Sequence, residues 1–245
     1  TQWQANTLPE PYKNRIRVIH DGIDTDLASP SIGASLRLKR VDGHVLQLSP
    51  GTPLVTFVAR NLEPFRGYHQ FMRALPTLLR EAPNAHAVIV GGDGVSYGSP
   101  PTAGSWRDLF WQEVRAQIDA QRVHFVGRIP HTSLLDLLRL SHAHVYLTYP
   151  FVLSWSMLEA MAVQAPVVGS DTAPVREVIA HDQNGLLVDF FSPEAIAEAI
   201  LTCLNDPKRR QRLGQAARET IVTRYDLRRV CLPQHVALLE DWAAR

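Results

Sequence analysis

Residues 151–177 read FVLSWSMLEAMAVQAPVVGSDTAPVRE. Ser156 stands three residues before Glu159 as an apolar run begins, the capping-box pattern that opens a helix. The spacing predicts a helix over residues 157–164, a β-branched strand over 166–169 and a new helix start near Ala173. A helix N-terminus presents unpaired N–H groups and the positive end of a dipole, so these turns suit an anion.

The alternation extends in both directions. Short apolar runs at residues 17–20, 54–59, 87–90, 123–126, 145–148, 167–169 and 186–188 read as strands. Helical periods lie between most of them, at 67–81, 106–118, 133–140, 157–164 and 173–179. Alternating strand and helix implies one parallel sheet with helices on both faces, a doubly wound α/β domain. Beyond Val188 the pattern is helical only. Ser192-Pro193-Glu194 is a cap, a first-position proline and an acidic first turn. Helices are expected from there to Asn205, over 207–223 and over most of 227–244. The Gly/Pro/Ser-rich stretch Gly92–Ser105 would leave the carboxyl end of a strand, the side where ligands of such folds bind.

Composition narrows the function. The 245 residues are 45% apolar and 20% charged, as in ordinary soluble globular proteins. Twenty-five Lys and Arg against 24 Asp and Glu leave a net charge of +1, which gives no basis for a broad nucleic-acid surface. The basic runs 208–210 and 228–229 read as solvated helix faces, with weak attraction to an anionic membrane as the unsupported alternative. Cys203 and Cys231 have neither CxxC nor metal-ligand spacing and read as free buried thiols of a reducing, cytoplasmic setting. No apolar run approaches the roughly 18 residues of a membrane span, and no signal peptide opens the chain. The first residue is Thr1, so a fragment or excised domain is expected.

With LEAMA and the following PVV strand, residues 151–177 resemble the donor-binding segment of group-1 (family four) retaining glycosyltransferases. That segment has two glutamates separated by seven residues. Glu159 matches the second, while the first falls on Phe151. Residues 55–76, VTFVARNLEPFRGYHQFMRALP, resemble the family's strand, arginine and lysine-glycine, with Arg60 at the strand end and Arg66-Gly67 in place of lysine-glycine. Gly91-Gly92 after the strand AVIV would allow positive φ and close backbone approach to a ligand. Gly127 and Arg128, in VHFVGRIP, match the family strand that ends near the nucleotide base.

The resemblance spans roughly Arg15 to Tyr225 and implies the carboxyl-terminal half of a two-domain GT-B enzyme. Residues 1–15 would be linker, 16–190 a Rossmann-like nucleotide-sugar domain and 191–245 its helical extension, with an amino-terminal acceptor domain absent from this chain. The implied reaction moves a sugar from a nucleoside-diphosphate sugar to an acceptor hydroxyl with retention, with no cofactor or obligatory metal. It assigns Arg60 and Arg66 to the diphosphate, the amides of Ser154, Trp155 and Ser156 to phosphate or sugar, and Glu159 to the ribose. Phe151 is the departure from the family, and Glu177 and Asp171 are the nearest acids that could substitute. Two alternatives stay open: a nucleotide-sugar epimerase or hydrolase on the same architecture, and a non-catalytic binding module. Residue by residue, plainer readings also stay open, with Glu159 as capping-box partner and the arginines as surface cations paired to Glu63 or another acid. Asp24-Thr25-Asp26 and the His142/His144 pair have metal-ligand character but lack a third ligand or the surrounding pattern.

Overall fold

The computed structural model describes residues 1–244. Among them eight strands form in chain order: β1 (Leu36–Lys39), β2 (Val45–Leu48), β3 (Leu54–Asn61), β4 (His86–Gly92), β5 (Val123–Gly127), β6 (Ala143–Tyr146), β7 (Val167–Ser170) and β8 (Leu186–Val188). The last six make one parallel sheet in the order β5-β4-β3-β6-β7-β8. The chain thus leaves β3 toward one edge and returns to β6 on its other side. That reversal is a topological switch point, where the connections diverge and open a crevice at the strand carboxyl ends.

Among the described residues, ten α-helices accompany the strands: α1 (Gln2–Asn6), α2 (Glu10–Lys13), α3 (Tyr68–Glu81), α4 (Trp106–Val114), α5 (His131–Leu140), α6 (Trp155–Ala162), α7 (Ala173–Arg176), α8 (Pro193–Asn205), α9 (Pro207–Arg224) and α10 (Leu232–Ala243). Period-2 alternation in the strands feeds two layers. Val55 and Phe57 of β3, with Ala87 and Ile89 of β4, pack under Phe71, Leu75, Phe110 and Ile200 of α3, α4 and α8. On the other face Leu54, Val88 and Val90 meet Leu137 and Leu140 of α5. Met157, Leu158 and Met161 of α6 pack with Ile221 of α9 in an adjoining cluster. The fold is therefore a Rossmann-like doubly wound sheet, and its helical carboxyl-terminal stretch supplies α8 to one face and α9 to the other.

Two expectations fail locally. Residues 17–20 form no strand; they lie along α10, where Arg17 pairs with Asp241 at 3.3 Å and the His235 ring meets the carbonyl of His20 at 3.2 Å. A helix's side chains, not a sheet edge, satisfy that segment. Conversely β1 and β2 form an antiparallel hairpin, with Leu36 opposite Leu48 and Leu38 opposite Leu46, that no strand prediction covers. Its inward residues Leu36, Leu38 and Leu48 join Val126 and Leu140 in the core. Residues 1–15 hold α1 and α2, and α1 is docked through Glu177, whose carboxylate accepts from the amides of Gln2 (2.7 Å) and Trp3 (2.6 Å).

Candidate functional site

At the carboxyl end of β3 the chain makes a 3-10 turn, Pro64–Arg66, then reaches Gly67 with φ +71° before entering α3. A Cβ on Gly67 would lie 2.2 Å from that of Leu147, so only glycine lets the turn press against β6. This places Arg66 beside the segment after β6. Its guanidinium donates to Tyr146 Oη (3.4 Å), Thr148 Oγ1 (3.3 Å), the Val152 carbonyl (3.3 Å) and Tyr97 Oη (3.4 Å). The Tyr97 and Phe151 rings flank it, with centroids 5.0 and 5.3 Å from Cζ, within cation–π range. All these partners are neutral. Arg60 is exposed and has no hydrogen bond or ion pair among the described residues.

Both arginines line a cavity of about 440 Å³ at the switch point, with Tyr97, Tyr146, Phe151, Ser154 and Trp155 among its walls. Among the described residues no carboxylate lines it. The pairing of these arginines with Glu63 does not occur. Glu63 is fully buried and accepts from the amides of Ser96 (3.2 Å) and Tyr97 (3.2 Å), which holds the 92–105 loop so that Tyr97 covers Arg66. Asn61 assists, donating to Ser96 Oγ at 2.7 Å.

The start of α6 differs from the capping box read in the sequence. Ser154, extended at φ −90° and ψ 140°, is the cap and accepts from the Ser156 amide at 3.3 Å. Helix α6 therefore begins at Trp155, and Glu159 is its fifth residue, too far on to close a box. The Ser154 amide donates to Tyr146 Oη at 2.9 Å. Burial pushes the Tyr146 phenol up, so it stays protonated. With the amides of Ser154 and Ser156 engaged, the Trp155 amide at the first helical position is the one of the three without a partner among the described residues. The Trp155 indole donates to Asp21 at 3.2 Å.

Glu159 reaches across to the ring of His131, Oε1 to Nε2 2.6 Å, and its side chain is only 10% exposed. No motif pointed to His131. Gly91 and Gly92 have ordinary φ, contrary to the reading of positive φ. Crowding explains them instead, because a Cβ would lie 2.7 Å from Leu62 at Gly91 and 2.8 Å from the Asn61 amide at Gly92. Gly127 does adopt φ +64°. Arg128 follows it, exposed, and donates to Asn61 Oδ1 at 3.1 Å, beside Gly92. Neither proposed substitute for the missing acid is free: Glu177 holds α1, and Arg176 donates twice to Asp171 (2.5 and 2.7 Å), which keeps its carboxyl below the usual range.

The metal-like motifs are structural clasps. Asp24 accepts from the amides of Asp26 and Leu27 and pairs with Arg228, while Thr25 bonds the buried Asp226. His144 is fully buried and meets Thr56 Oγ1 at 3.0 Å. Desolvation pushes its imidazole down to about 3.

The switch-point crevice of this doubly wound sheet carries two arginines and, among the described residues, no carboxylate, at the strand carboxyl ends where ligands of such folds bind. The sequence pattern of the family described as "Glycosyl transferases group 1" matches residues 44–220, and that of the "Glycosyl transferase family 4 group" matches residues 1–28. The chain belongs to the group-1 glycosyl transferases. Among curated relatives, it is 28% identical over 226 residues to D-inositol 3-phosphate glycosyltransferase of Corynebacterium glutamicum, covering 89% of this chain and 51% of that protein. It is 28% identical over 176 residues to glycogen synthase of Mycobacterium tuberculosis, covering 72% and 40%. The chain thus spans about half the length of the curated relatives it matches. Among solved structures, the C-terminal domain of a group-1 family protein, LpcC of Francisella tularensis, aligns with TM-score 0.69 at 20% identity, covering 84% of this chain and all of that one. Anabaena HepE in complex with UDP-glucose aligns with TM-score 0.72 at 20% identity, covering 94% and 57%. At these identities the likeness to solved structures concerns the fold.

Proposed function

We propose that this chain is the donor-binding half of a retaining glycosyltransferase that moves a sugar from a nucleoside-diphosphate sugar to an acceptor hydroxyl. The observation that carries the reading is the uncompensated pair Arg60 and Arg66 at the switch point. Both guanidiniums lie in a crevice that no carboxylate lines among the described residues, and arginine grips phosphate oxygens through paired donors. The free Trp155 amide at the start of α6 adds a fixed positive dipole end. As the glycosidic bond breaks, negative charge grows on the departing diphosphate, and donors already in place stabilise it without reorganising. On this reading the charge on Arg60 and Arg66 does what a divalent cation would otherwise do, and no cofactor takes part.

Gly127 and Arg128 sit beside Gly92 at the carboxyl ends of β5 and β4, and are assigned to the base end of the ligand. The ribose is assigned to Glu159. The UDP-glucose complex of HepE and the enzymes named above, all about twice this chain's length or nearly so, support the donor class and an acceptor domain outside this chain. Two free buried thiols, Cys203 and Cys231, support a reducing compartment such as the cytoplasm. No helix among the described residues is long and apolar enough to cross a membrane. The test is calorimetric titration of this chain with UDP, GDP, ADP and TDP in EDTA. One of the four should bind; binding that appears only with added magnesium or manganese would overturn the metal-free reading.

A further inference from the structure

His131 is exposed, belongs to no motif, and yet makes the shortest side-chain contact of the residues assigned to the ligand. It is the first residue of α5, directly after Pro130, and its Nε2 lies 2.6 Å from Oε1 of Glu159 on the second turn of α6. With a Glu159 carboxylate oxygen as the acceptor, Nε2–H is the donor of this contact. The other carboxylate oxygen, Oε2, has no donor among the described residues and keeps some contact with solvent. Helices α5 and α6 pack against each other, and both ends of the contact therefore stand on fixed elements. The Glu159 side chain is 10% exposed and that of His131 is 52% exposed, which places the imidazole on the solvent side of a carboxylate with little freedom of its own.

We propose that His131 is a positioning residue for ribose recognition: its Nε2–H fixes one oxygen of Glu159 so that the other faces the vicinal hydroxyls of the ligand. The inference rests on the donor-binding reading and deepens it. Oε2 is left free to accept, and a ribose diol supplies O–H donors whose bonds to a charged acceptor are stronger than neutral ones. Without the imidazole, Glu159 would be free to turn and spread its acceptor directions over several rotamers. Fixing it in advance spares the ligand that ordering cost.

The test titrates UDP, GDP, ADP and TDP, and the 2′,3′-dideoxy counterpart of the tightest binder among the first three, into wild type and four variants: Glu159→Ala, His131→Ala, His131→Asn and His131→Gln. In wild type the dideoxy ligand should bind about five- to tenfold more weakly than its ribose parent, and Glu159→Ala should erase that difference. His131→Ala should lose most of it while its affinity for the dideoxy ligand stays within about twofold of wild type. Asparagine, polar but too short to reach the carboxylate, should behave as alanine, and it stands in should the alanine variant fail to fold. Glutamine, whose amide N–H can reach Oε1, should keep the ribose preference. Equal weakening of both ligands in the short variants, or an intact ribose preference there, overturns the proposal. If wild type binds the two ligands equally, the ribose role of Glu159 falls and this proposal with it. If TDP alone binds, the ligand has no vicinal diol and this proposal falls; if none of the four diphosphates binds, the donor-binding reading itself falls.

Discussion

Arg122 and Arg218 show what an arginine does when it serves the fold; Arg60 and Arg66 show the opposite case. Arg122 donates from one nitrogen to the carbonyls of Leu79 (2.9 Å), Ala82 (3.2 Å) and Pro83 (3.0 Å), closing the carboxyl end of α3. Arg218 does the same for α6 through the Ala162 carbonyl (2.6 Å) and ties it to the turn at Ala28 (3.1 Å). Each cation lies where the last carbonyls of a helix are unsatisfied and the dipole is negative. At the switch point the geometry is reversed. Arg66 finds only neutral oxygens at 3.3–3.4 Å and two aromatic faces, and Arg60 finds no partner among the described residues. The scaffold arginines are spent on closing helix ends, whereas the switch-point pair shares one crevice that no carboxylate lines among the described residues.

The comparison breaks first at the arginines. Replacing Arg60 and Arg66 together by alanine should weaken nucleoside-diphosphate binding by about 30-fold or more while the melting temperature moves by only about 2 °C. Arg122→Ala and Arg218→Ala should do the converse. Each loses bonds of 2.6–3.2 Å to backbone carbonyls, where Arg66 loses only bonds of 3.3–3.4 Å, so Tm should drop by about 3–8 °C with nucleotide affinity within about twofold of wild type. Calorimetry and thermal melts on wild type and these three variants decide the matter. Matching losses in both sets would erase the distinction between site and scaffold.

Phe151→Glu sharpens the contrast by adding the counter-charge the cavity lacks. A carboxylate beside Arg66 competes with the diphosphate for the guanidinium, and affinity should fall roughly tenfold without loss of stability. Tighter binding in that variant would show that the phenylalanine is a defect of the site and not part of its charge balance.

The smallest expected effect on the site comes from acid. Desolvation lowers His69 and His124 to about 4 and His144 to about 3, from an ordinary 6.5. Above 6.5 both folded and unfolded chains hold these rings neutral, and their contribution to stability is complete. As pH falls from 6.5 toward 4, the unfolded chain takes up protons that the folded chain refuses, so stability declines. Melting temperature should therefore fall steadily across that window, and His144→Asn should flatten the slope. The arginines keep their charge throughout, so nucleotide affinity at pH 5.5 should stay within about threefold of its value at pH 7.5.

Long periodic segments make the sheet legible in the amino-acid sequence. The strands at 54–59, 87–90 and 186–188 and the helices at 68–81 and 193–205 follow from apolar spacing and end signals. The hairpin of β1 and β2 does carry a local signal: the alternation LRLK, the turn Asp42-Gly43 and the run VLQL. Its short strands sit among polar residues, which dilutes a window-based reading. The capping-box pattern misplaces the start of α6 because Ser154 and Ser156 are both competent caps. Only tertiary geometry, the Ser154 amide on the buried Tyr146 hydroxyl, selects the first. The cationic character of the site is readable from Arg60 and Arg66. Unreadable are the cover that Tyr97, 31 positions from Arg66 on a loop anchored by Glu63, places over it, and the meeting of His131 with Glu159 across 28 positions. Contacts between separate loops leave no local pattern.

Backbone amide mapping by NMR, with the tightest-binding nucleoside diphosphate titrated into EDTA-treated protein, tests the central claim most directly. The account predicts the largest saturable shifts at Arg66–Gly67 and across Val152–Ser156, with no comparable change around Arg122 or along α10. Shifts centred away from the switch point, or none until a divalent metal is added, would contradict it.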